Sequence, residues 1–298
     1  LQDMANADCI VIEGSNMAEC HPVGFQWVVE AKKRGARIIH VDPRYTRTSA
    51  FANRHISIRG GTDVVLLGAI IKYVLDNDLY FHDYVVNYTN AASIISPDFQ
   101  DTEDLEGLFS GYDAETGKYV TDSWQYVRKP EGSSWNVEKD TSLEDPNTVF
   151  QILKRHYSRY TPEMVEETCG ISQEDFYYLA NSIAENSKPD RTTCFAYALG
   201  FTQHTLGAQF IRTAAILQLL MGNVGRPGSG IMALRGHASI QGSTDIPTLF
   251  NSLPGYLPMP HVEQANWSEY LNSFRKEDQK GFWQLGENYA VSLMKSYW

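Results

Sequence analysis

The sequence lacks several patterns that would assign it at once to a common class of protein. Its four cysteines form no CxxC pair, which disfavours a zinc site or an iron–sulfur cluster held by this segment. The glycine fingerprint GxGxxG is also missing, and this counts against an ordinary NAD-dependent dehydrogenase. No apolar run is long enough to span a bilayer, and Leu1 does not begin a signal peptide, so we expect no direct membrane insertion.

Positive charge is in short supply. The chain has 25 lysines and arginines against 36 aspartates and glutamates, a formal charge of −11. This balance argues against nucleic acid or an anionic membrane as a general partner, although a local basic pocket could still admit an anionic substrate. Apolar residues make up 43% of the 298 positions, enough for one large or two ordinary domains. Cys9 and Cys194 lie in predicted buried strands, where cysteine commonly acts as a small hydrophobe.

The first forty residues predict a strand–helix–strand unit with a parallel pair of strands. The apolar run Cys9 to Glu13 indicates a buried strand, and a helix follows from about His21 to Arg34, with Gly35 as its C-cap. A second apolar run, Arg37 to Val41, completes the unit. The helix residues that we expect on one buried face are Val23, Trp27 and Ala31.

The rest of the chain continues the alternation of helices and strands. A stretch rich in acidic and small polar residues, from about 91 to 146, is typical of a long surface insertion. Together these patterns predict an α/β fold, an αβα sandwich around a mainly parallel, doubly wound sheet. The other predicted elements are helices at Val64 to Leu75, Pro146 to Tyr160, Ser172 to Glu185, Leu206 to Met221 and Trp267 to Arg275, and a strand at Thr192 to Leu199 that breaks at Gly200.

Polar residues follow two of the predicted strands. Gly14 opens a turn after the first strand, and Asp42 ends the second, where doubly wound folds place a ribose-binding acid. Such strand ends and helix N-termini present backbone N–H groups to an anion. From these residues alone, a nucleotide-like ligand and a strand end that binds nothing remain equally open.

Two further constellations lie later in the chain. His204 follows the Gly200 break, where it could line a ligand crevice or serve only as a structural hydrogen-bonding group. Arg235 is flanked by Gly236 in a segment otherwise apolar and small. Its planar guanidinium matches a carboxylate, but a buried structural ion pair explains the residue equally well.

Several strings in combination resemble a known family. They are GSNMAECHPVGF at 14–25, VDPRYTRTS at 41–49 with GGTD at 60–63, and the pair LGFTQHT at 199–205 and ALRGHASIQG at 233–242. In this order they resemble the molybdopterin oxidoreductase superfamily, and most closely its formate dehydrogenase catalytic subunits. The resemblance extends over nearly the whole chain. It implies an αβα domain at 1–238 that holds one guanine dinucleotide of a bis-molybdopterin (bis-MGD) cofactor carrying Mo or W, with 239–298 beginning an adjacent α/β domain.

The same resemblance implies roles for individual residues. Arg235 matches the arginine that sits beside the metal and orients the formate carboxylate, and His237 matches a polar position nearby. The implied contacts to the pterin dinucleotide are Gly14, Ser15, Asn16, Glu19, His21, Asp42, Arg44, Gly61 and Asp63. The implied contacts near the pterin and the metal are Leu199, Gly200, Gln203, His204 and Gly236.

Some features of the family are missing from this sequence. The cysteine or selenocysteine that ligates the metal would precede Leu1, the motif for a [4Fe-4S] cluster would lie further upstream, and a second pterin-binding domain would follow Trp298. We therefore predict no metal ligand in this chain, which would be an internal piece, inactive alone and unable to retain the cofactor.

The resemblance also implies the surroundings of the parent enzyme. We expect formate and CO2 as its substrates, and as partners the rest of its own catalytic subunit and an iron–sulfur electron-transfer subunit. The acidic insertion favours a periplasmic parent over a cytoplasmic one. The alternatives are a nitrate or other oxyanion reductase of the same superfamily and a non-catalytic scaffold subunit. The string ALRGH disfavours the former, and the intact Arg235, Gln203 and Gly14 turn disfavour the latter.

Overall fold

A computed structural model describes residues 1–129, 136–236, 242, 252–275 and 284–297. The chain divides into two compact units, Leu1–Leu234 and Arg235–Trp298. The first unit is built on a five-stranded sheet, β1 (Cys9–Glu13), β2 (Arg37–Val41), β3 (Arg54–Ile56), β6 (Thr193–Tyr197) and β7 (Gly230–Ala233). Its strands follow the order β3-β2-β1-β6-β7, and every neighbouring pair is parallel. The predicted α/β fold with a parallel sheet is confirmed.

Helices flank this sheet and connect its strands. Between β1 and β3 lie α1 (Met17–Cys20), α2 (Pro22–Lys33) and α3 (Arg47–Phe51). Between β3 and β7 lie α4 (Asp63–Asp76), α5 (His82–Tyr88), α6 (Val149–Tyr157), α7 (Pro162–Cys169), α8 (Gln173–Glu185), α9 (Leu199–Thr202) and α10 (Gly207–Leu220), with the short hairpin strands β4 (Tyr112–Asp113) and β5 (Lys118–Tyr119). A 3-10 helix, Gln2–Asn6, precedes β1.

The central strand β1 is buried on both faces, which is why its sequence is apolar without alternation. Cys9 and Val11 belong to one core, together with buried residues of α4, α8 and α10. Ile10 and Ile12 point to the other core, which contains the buried face of α2. The sheet is therefore the middle layer of an αβα sandwich.

Strand β1 is also the place where the winding of the sheet reverses. It pairs with β2 on one side, Glu13 opposite Val41, and with β6 on the other, Glu13 opposite Tyr197. Because the chain leaves β1 toward β2 and returns later to the opposite side, a crevice opens at the carboxyl ends of β1 and β6. Doubly wound proteins bind their ligands at such a switch point.

Three predicted elements differ in detail from the structure. Val23 is 77% exposed, whereas Ala31 is buried and Trp27 is partly buried, as predicted; Phe25 and Val28 complete the buried face of α2. This face is displaced because the 3-10 helix before β1 packs against α2. The predicted helix from 146 to 160 is shorter, and the separate helix α7 follows, since Thr161 caps it and Pro162 occupies its first turn. Strand β6 ends at Tyr197, so the break precedes Gly200.

The acidic stretch from 91 to 146 is fixed to the main core at both ends. Ala91 and Ala92 are buried at its beginning, and Leu143 is buried near its end, in the same core as α4. Between them the antiparallel hairpin β4–β5 and several isolated bridges provide local order. Both ends of the insertion are therefore anchored in the same hydrophobic core.

The second unit contains the hairpin β8 (Ser252–Leu253) and β9 (Leu257–Pro258) and two helices, α11 (Trp267–Phe274) and α12 (Gly286–Tyr297). It has a small core of its own, formed by Leu257, Tyr270, Leu271 and Ala290. The predicted helix near Trp267 is confirmed as α11. No helix in the described ranges combines the length and the apolar character needed to cross a membrane.

Candidate cofactor-binding site

The Gly14 turn after β1 meets Gly200, at the start of α9, near the carboxyl ends of β1 and β6. Gly14 has φ +61° and donates its N–H to the Val41 carbonyl at 3.1 Å. Its own carbonyl accepts the N–H of Gly200 at 3.1 Å. A Cβ at Gly14 would lie 2.5 Å from the Phe201 nitrogen, and one at Gly200 would lie 2.7 Å from the Gly14 oxygen. The turn and the start of α9 are therefore in main-chain contact that only glycine permits.

Ser15 is held in place from below by a buried histidine. His40 is fully buried on β2, its Nε2 lying 3.1 Å from the Ser15 carbonyl and its Nδ1 2.7 Å from the Ser49 hydroxyl. Because the Ser15 carbonyl can only accept, Nε2 carries the proton of the neutral ring, and Nδ1 accepts from the Ser49 hydroxyl, which itself accepts the Thr46 N–H. Burial lowers the pKa of His40 more than the carboxylate of Asp42 raises it. The ring is thus a neutral positioning group.

The Ser15 side chain itself has no such support. Ser15 is 5% exposed, and within the described part of the chain its Oγ has no hydrogen-bond partner. Buried hydroxyls normally have a partner, because leaving one unpaired costs roughly 1–3 kcal/mol. This hydroxyl is therefore available to a ligand that reaches the turn.

The residues after Ser15 form a polar chain at the surface. Asn16 occupies the N-cap position of α1, and its side chain accepts from the Thr48 hydroxyl at 3.0 Å and donates to Glu19. Glu19 is exposed and also pairs with Arg47 at 3.0 Å. His21 is half-buried at the junction of α1 and α2, where its carbonyl accepts the first hydrogen bond of α2.

Asp42 ends the neighbouring strand, as the sequence predicts. Its Oδ1 accepts the backbone N–H of Arg44 at 2.9 Å, and its Oδ2 lies 3.8 Å from Nε2 of His40. The Arg44 side chain is exposed. Because His40 contacts both Asp42 and the Ser15 carbonyl, the ends of β1 and β2 form one connected edge.

An acidic pair lies beneath the same crevice. Glu13 is 1% exposed, and its carboxyl approaches that of Asp63, the first residue of α4. Burial raises the pKa of both carboxyls, and the nearby Asp63 raises that of Glu13 further. His204, the Glu13 hydrogen bond and the N-terminal amides of α4 favour the ionised form of Asp63, so Glu13 is the member that retains the proton. Within the described ranges, Oε1 of Glu13 has no partner.

The loop after β6 brings its predicted residues to the other wall of the crevice. Leu199 and Gly200 begin the short helix α9, and Leu199 is 59% exposed. Gln203 and His204 are exposed at the end of this helix. The His204 ring contacts the Gly200 carbonyl through Nε2 at 2.8 Å, and its Nδ1 lies 3.8 Å from the position of a Cβ at Gly61. Gly61 has φ +88° and precedes α4.

The remaining predicted residues belong to the second unit. Arg235 and Gly236 are exposed. The exposure of Arg235 differs from the burial that a structural ion pair requires. His237 lies outside the described residues, so its predicted role stays a prediction.

The cysteines behave as the sequence predicts for apolar positions. Cys9 and Cys194 are fully buried in β1 and β6, and burial raises the pKa of the Cys9 thiol to about 12 and that of Cys194 further still. Across the described ranges, no group of three or more His, Cys, Asp or Glu side chains is placed to hold a metal ion.

Two site residues were missed by the sequence analysis, Glu13 and His40. Each is a polar residue inside an otherwise apolar strand, CIVIE and RIIHV. That position is the available signal, since a lone acid or histidine at the carboxyl end of a buried strand requires a partner.

A doubly wound sheet with glycine turns and free polar groups at its switch point is typical of proteins that bind a nucleotide-bearing cofactor. The family model of the molybdopterin oxidoreductases matches residues 1–294, and the chain belongs to that family.

Several relatives sharpen the comparison. The chain is 46% identical to the major subunit of the nitrate-inducible formate dehydrogenase of Escherichia coli K12, and 43% identical to the formate dehydrogenase subunit alpha of Megalodesulfovibrio gigas. Each alignment covers 99% of this chain but 29% of the relative's length. Among solved structures, acetylene hydratase from Pelobacter acetylenicus shares the fold, with a TM-score of 0.50 at 19% identity over 76% of this chain and 23% of that one.

Membership in the family implies a molybdopterin cofactor with Mo or W, and the residues at the switch point fit part of such a group. The close Gly14–Gly200 contact fixes the turn that carries Ser15, and the buried Ser15 hydroxyl lacks a protein partner among the described residues. An unpartnered hydroxyl on a strand-end turn suits the dinucleotide part of the cofactor.

Proposed function

We propose that this chain is part of the catalytic subunit of a molybdenum- or tungsten-dependent formate dehydrogenase, which interconverts formate and CO2. In this proposal, residues 1–238 hold one guanine dinucleotide of a bis-MGD cofactor. The observation that carries the proposal is the cradle at the switch point, where Gly14 and Gly200 interlock and the Ser15 hydroxyl is free. The 40–46% identity to formate dehydrogenase subunits supports the choice of substrate.

The residues of the cradle would bind the dinucleotide through its polar groups. The Gly14–Asn16 turn and the N-terminus of α4 offer backbone N–H groups to the pyrophosphate, as helix N-termini do for anions. The Ser15 hydroxyl would donate to a phosphate or ribose oxygen. Asp42, whose carboxylate ends β2, would accept a hydrogen bond from a ribose hydroxyl or a guanine N–H. Gln203 and His204 would line the wall toward the pterin.

Arg235 would bind the substrate. Its guanidinium is exposed and presents a planar fork that matches a formate carboxylate. It would orient the anion and stabilise negative charge at its oxygens, an effect of position and electrostatics. His237 would provide a polar neighbour. The bound cofactor would supply the two-electron chemistry.

Other parts of the enzyme would complete the site. We propose that the metal-ligating cysteine or selenocysteine, a [4Fe-4S] cluster and the second pterin-binding domain belong to other segments of the same subunit. An iron–sulfur electron-transfer subunit would accept the electrons, and the assembled enzyme would be periplasmic. The chain spans 29% of the length of its curated relatives, and alone we expect it to be inactive.

The test is formate-dependent dye reduction by the complete subunit that we propose to contain this chain. Wild type, Arg235→Ala and Arg235→Lys are compared after metal and pterin content have been measured. We expect Arg235→Ala to retain both and to lose activity by roughly 100-fold or more, because a substrate anchor and charge stabiliser is removed. Arg235→Lys should recover only a small part, since an ammonium cannot form the planar fork.

Arg212→Ala provides the matched control, because Arg212 is an exposed arginine on α10. It should keep full activity. Normal turnover of formate by Arg235→Ala would overturn the substrate role of that residue. If the wild-type subunit ignored formate and reduced an oxyanion such as nitrate, the choice of formate as substrate would be wrong.

A further inference from the structure

The buried acid Glu13 has no role in the proposed function, and its neighbour Asp63 is a residue that the family resemblance assigns to the dinucleotide. The two carboxyls meet where β1 ends and α4 begins, and both residues are at least nine-tenths buried. Their side chains approach each other, and two carboxyls can form a hydrogen bond only while one of them keeps a proton. Oε1 of Glu13 has no other partner in the described chain. A second polar atom without a partner, Ser15 Oγ, lies two residues further along the same turn.

The pair lies on one defined face of the sheet. Glu13 follows the alternation of Cys9 and Val11, so it points to the face that α4 covers. His40 and Asp42 follow the opposite alternation on β2 and approach the crevice from the other face. The titratable and charged groups on the side of the pair are His204 after α9, Cys169 at the end of α7 and Arg59 before α4, whose guanidinium donates to the carbonyls of Glu167 and Thr168.

The charge of this pair bears on what can bind above it. Two carboxylates in contact inside a protein cannot both ionise at moderate cost, so one proton is retained. A pyrophosphate at the Gly14 turn would add further negative charge to the same small volume. The complex would then be stable only while Glu13 stays neutral, because a second buried carboxylate would repel the ligand.

We propose that Glu13 and Asp63 hold one shared proton as a positioning pair, and that this proton is required for the anionic dinucleotide to bind at the Gly14 turn. The inference rests on the proposed function, because it takes a pyrophosphate-bearing ligand as the occupant of the crevice. Glu13 acts through Asp63 and the turn, not on the substrate. Cofactor affinity should therefore fall when alkaline solution removes the proton.

The test measures cofactor retention by the complete subunit at a series of pH values from about 6 to about 10, a range that spans the raised values seen for buried carboxyls. The wild type, Glu13→Gln and the control Glu30→Gln are dialysed, and the pterin that remains is quantified by fluorescence after denaturation. Glutamine imitates the protonated acid, since its amide can donate to Asp63. Glu30 is an exposed acid on α2, paired only with Lys33 at 2.9 Å in the described structure.

Loss of a single proton linked to binding changes the affinity by a defined amount. In the wild type and Glu30→Gln, affinity should fall by roughly tenfold per pH unit once Glu13 ionises. In Glu13→Gln, retention should stay level across the same range. If Glu13→Gln lost its cofactor with the same dependence on pH as the wild type, the proposed linkage would be wrong.

A second measurement separates this inference from the proposed function. Infrared difference spectra of the cofactor-free subunit, wild type against Glu13→Gln, should show the carbonyl stretch of a protonated carboxylic acid at neutral pH in the wild type alone. Its absence would overturn the shared proton whatever binds in the crevice. If the band is present but wild-type retention does not change with pH, the pair is structural and the linkage is overturned. If no pterin is bound at any pH while the band is present, the proposed function fails and the proton pair stands.

Discussion

Each face of the sheet places one buried polar residue at the crevice, and the two residues differ in how many of their hydrogen bonds are satisfied. On one face, His40 uses both ring nitrogens, one on the Ser49 hydroxyl and one on the Ser15 carbonyl. On the other face, Glu13 contacts Asp63 but leaves Oε1 without a partner in the described chain. The first arrangement is complete in the protein alone, whereas the second is not.

This difference distinguishes a residue that stabilises the fold from one that can bind a ligand. A buried group whose hydrogen bonds are all satisfied stabilises one geometry and has little to offer a ligand. A buried group that lacks a partner costs free energy until something supplies one. In this domain, His40 holds the turn that carries Ser15, while Ser15 Oγ and Glu13 retain unused hydrogen-bonding capacity. The predictions below test that division, from the largest expected effect to the smallest.

Gly14→Ala should destabilise the domain most, because the added Cβ would lie 2.5 Å from the Phe201 nitrogen at φ +61°. We expect a loss of about 3 kcal/mol or more in the free energy of unfolding. Urea denaturation measures it. Gly60→Ala is the control, because nothing lies within 4 Å of its Cβ position, and its change should stay within about 0.5 kcal/mol. Equal stability of both variants would refute the interlocked turns.

His40→Ala should cost about 2–4 kcal/mol, since it opens a cavity and leaves the Ser15 carbonyl without its donor. The exposed His82→Ala serves as control in the same denaturation series. Burial lowers the folded-state pKa of His40, so wild-type stability should fall as pH drops below the unfolded value of about 6.5. The variant should lack that part of the acid dependence, and an unchanged acid limb would argue against a neutral buried ring.

Glu13→Gln should change how stability depends on pH. The folded-state pKa of Glu13 is raised, so its contribution to stability is fully present below the unfolded value of about 4.3 and is lost as pH rises toward the folded value. Between these two values the wild type should lose about 1.4 kcal/mol per pH unit, and the variant should not. Thermal unfolding from acidic to alkaline pH measures the difference. Parallel curves for the two proteins would mean that Glu13 ionises as freely in the fold as in the unfolded chain.

Arg47→Ala should change stability by less than about 1 kcal/mol, because the pair with Glu19 is exposed and screened by solvent. The same variant should nevertheless loosen Glu19, which also accepts from Asn16 at the edge of the crevice. Urea denaturation at low and high salt measures this small contribution, which should diminish with salt. A loss as large as that of His40→Ala would contradict the distinction between surface and buried support.

Much of the fold could be predicted from local sequence. CIVIE, RIIHV and TTCFAY are apolar without alternation, as strands buried on both faces are, and each forms a strand of the parallel sheet. The helix predicted to begin at Ser172 is confirmed, and the Ser172 hydroxyl caps it by accepting from the Asp175 N–H. The prediction that Val23 lies on the buried face of α2 was wrong. The 3-10 helix packs against α2, and this tertiary contact decides which face is buried.

Less of the site than of the fold could be predicted from the sequence. The sequence predicts Gly14, Asp42 and Gly200 at or just after the ends of strands, and the parallel pairing of those strands brings their carboxyl ends to one edge of the sheet. The acid pair could not be found in this way. Glu13 and Asp63 are fifty positions apart in the sequence, and only the packing of α4 on β1 brings their carboxyls into contact. The role of Arg235 stays a prediction, since it depends on a substrate.

The pairing of β1 with β6 also determines when the sheet can form during synthesis of the chain. The Thr192 N–H that donates to Asp8 at the start of this pairing is 184 positions away from it. At about 5–20 residues per second, a ribosome needs roughly ten seconds or more to make the second strand after the first. During that interval β1 has one exposed edge, and the Gly14 turn has no opposite wall. The crevice therefore cannot receive a cofactor until nearly all of the first unit has left the ribosome.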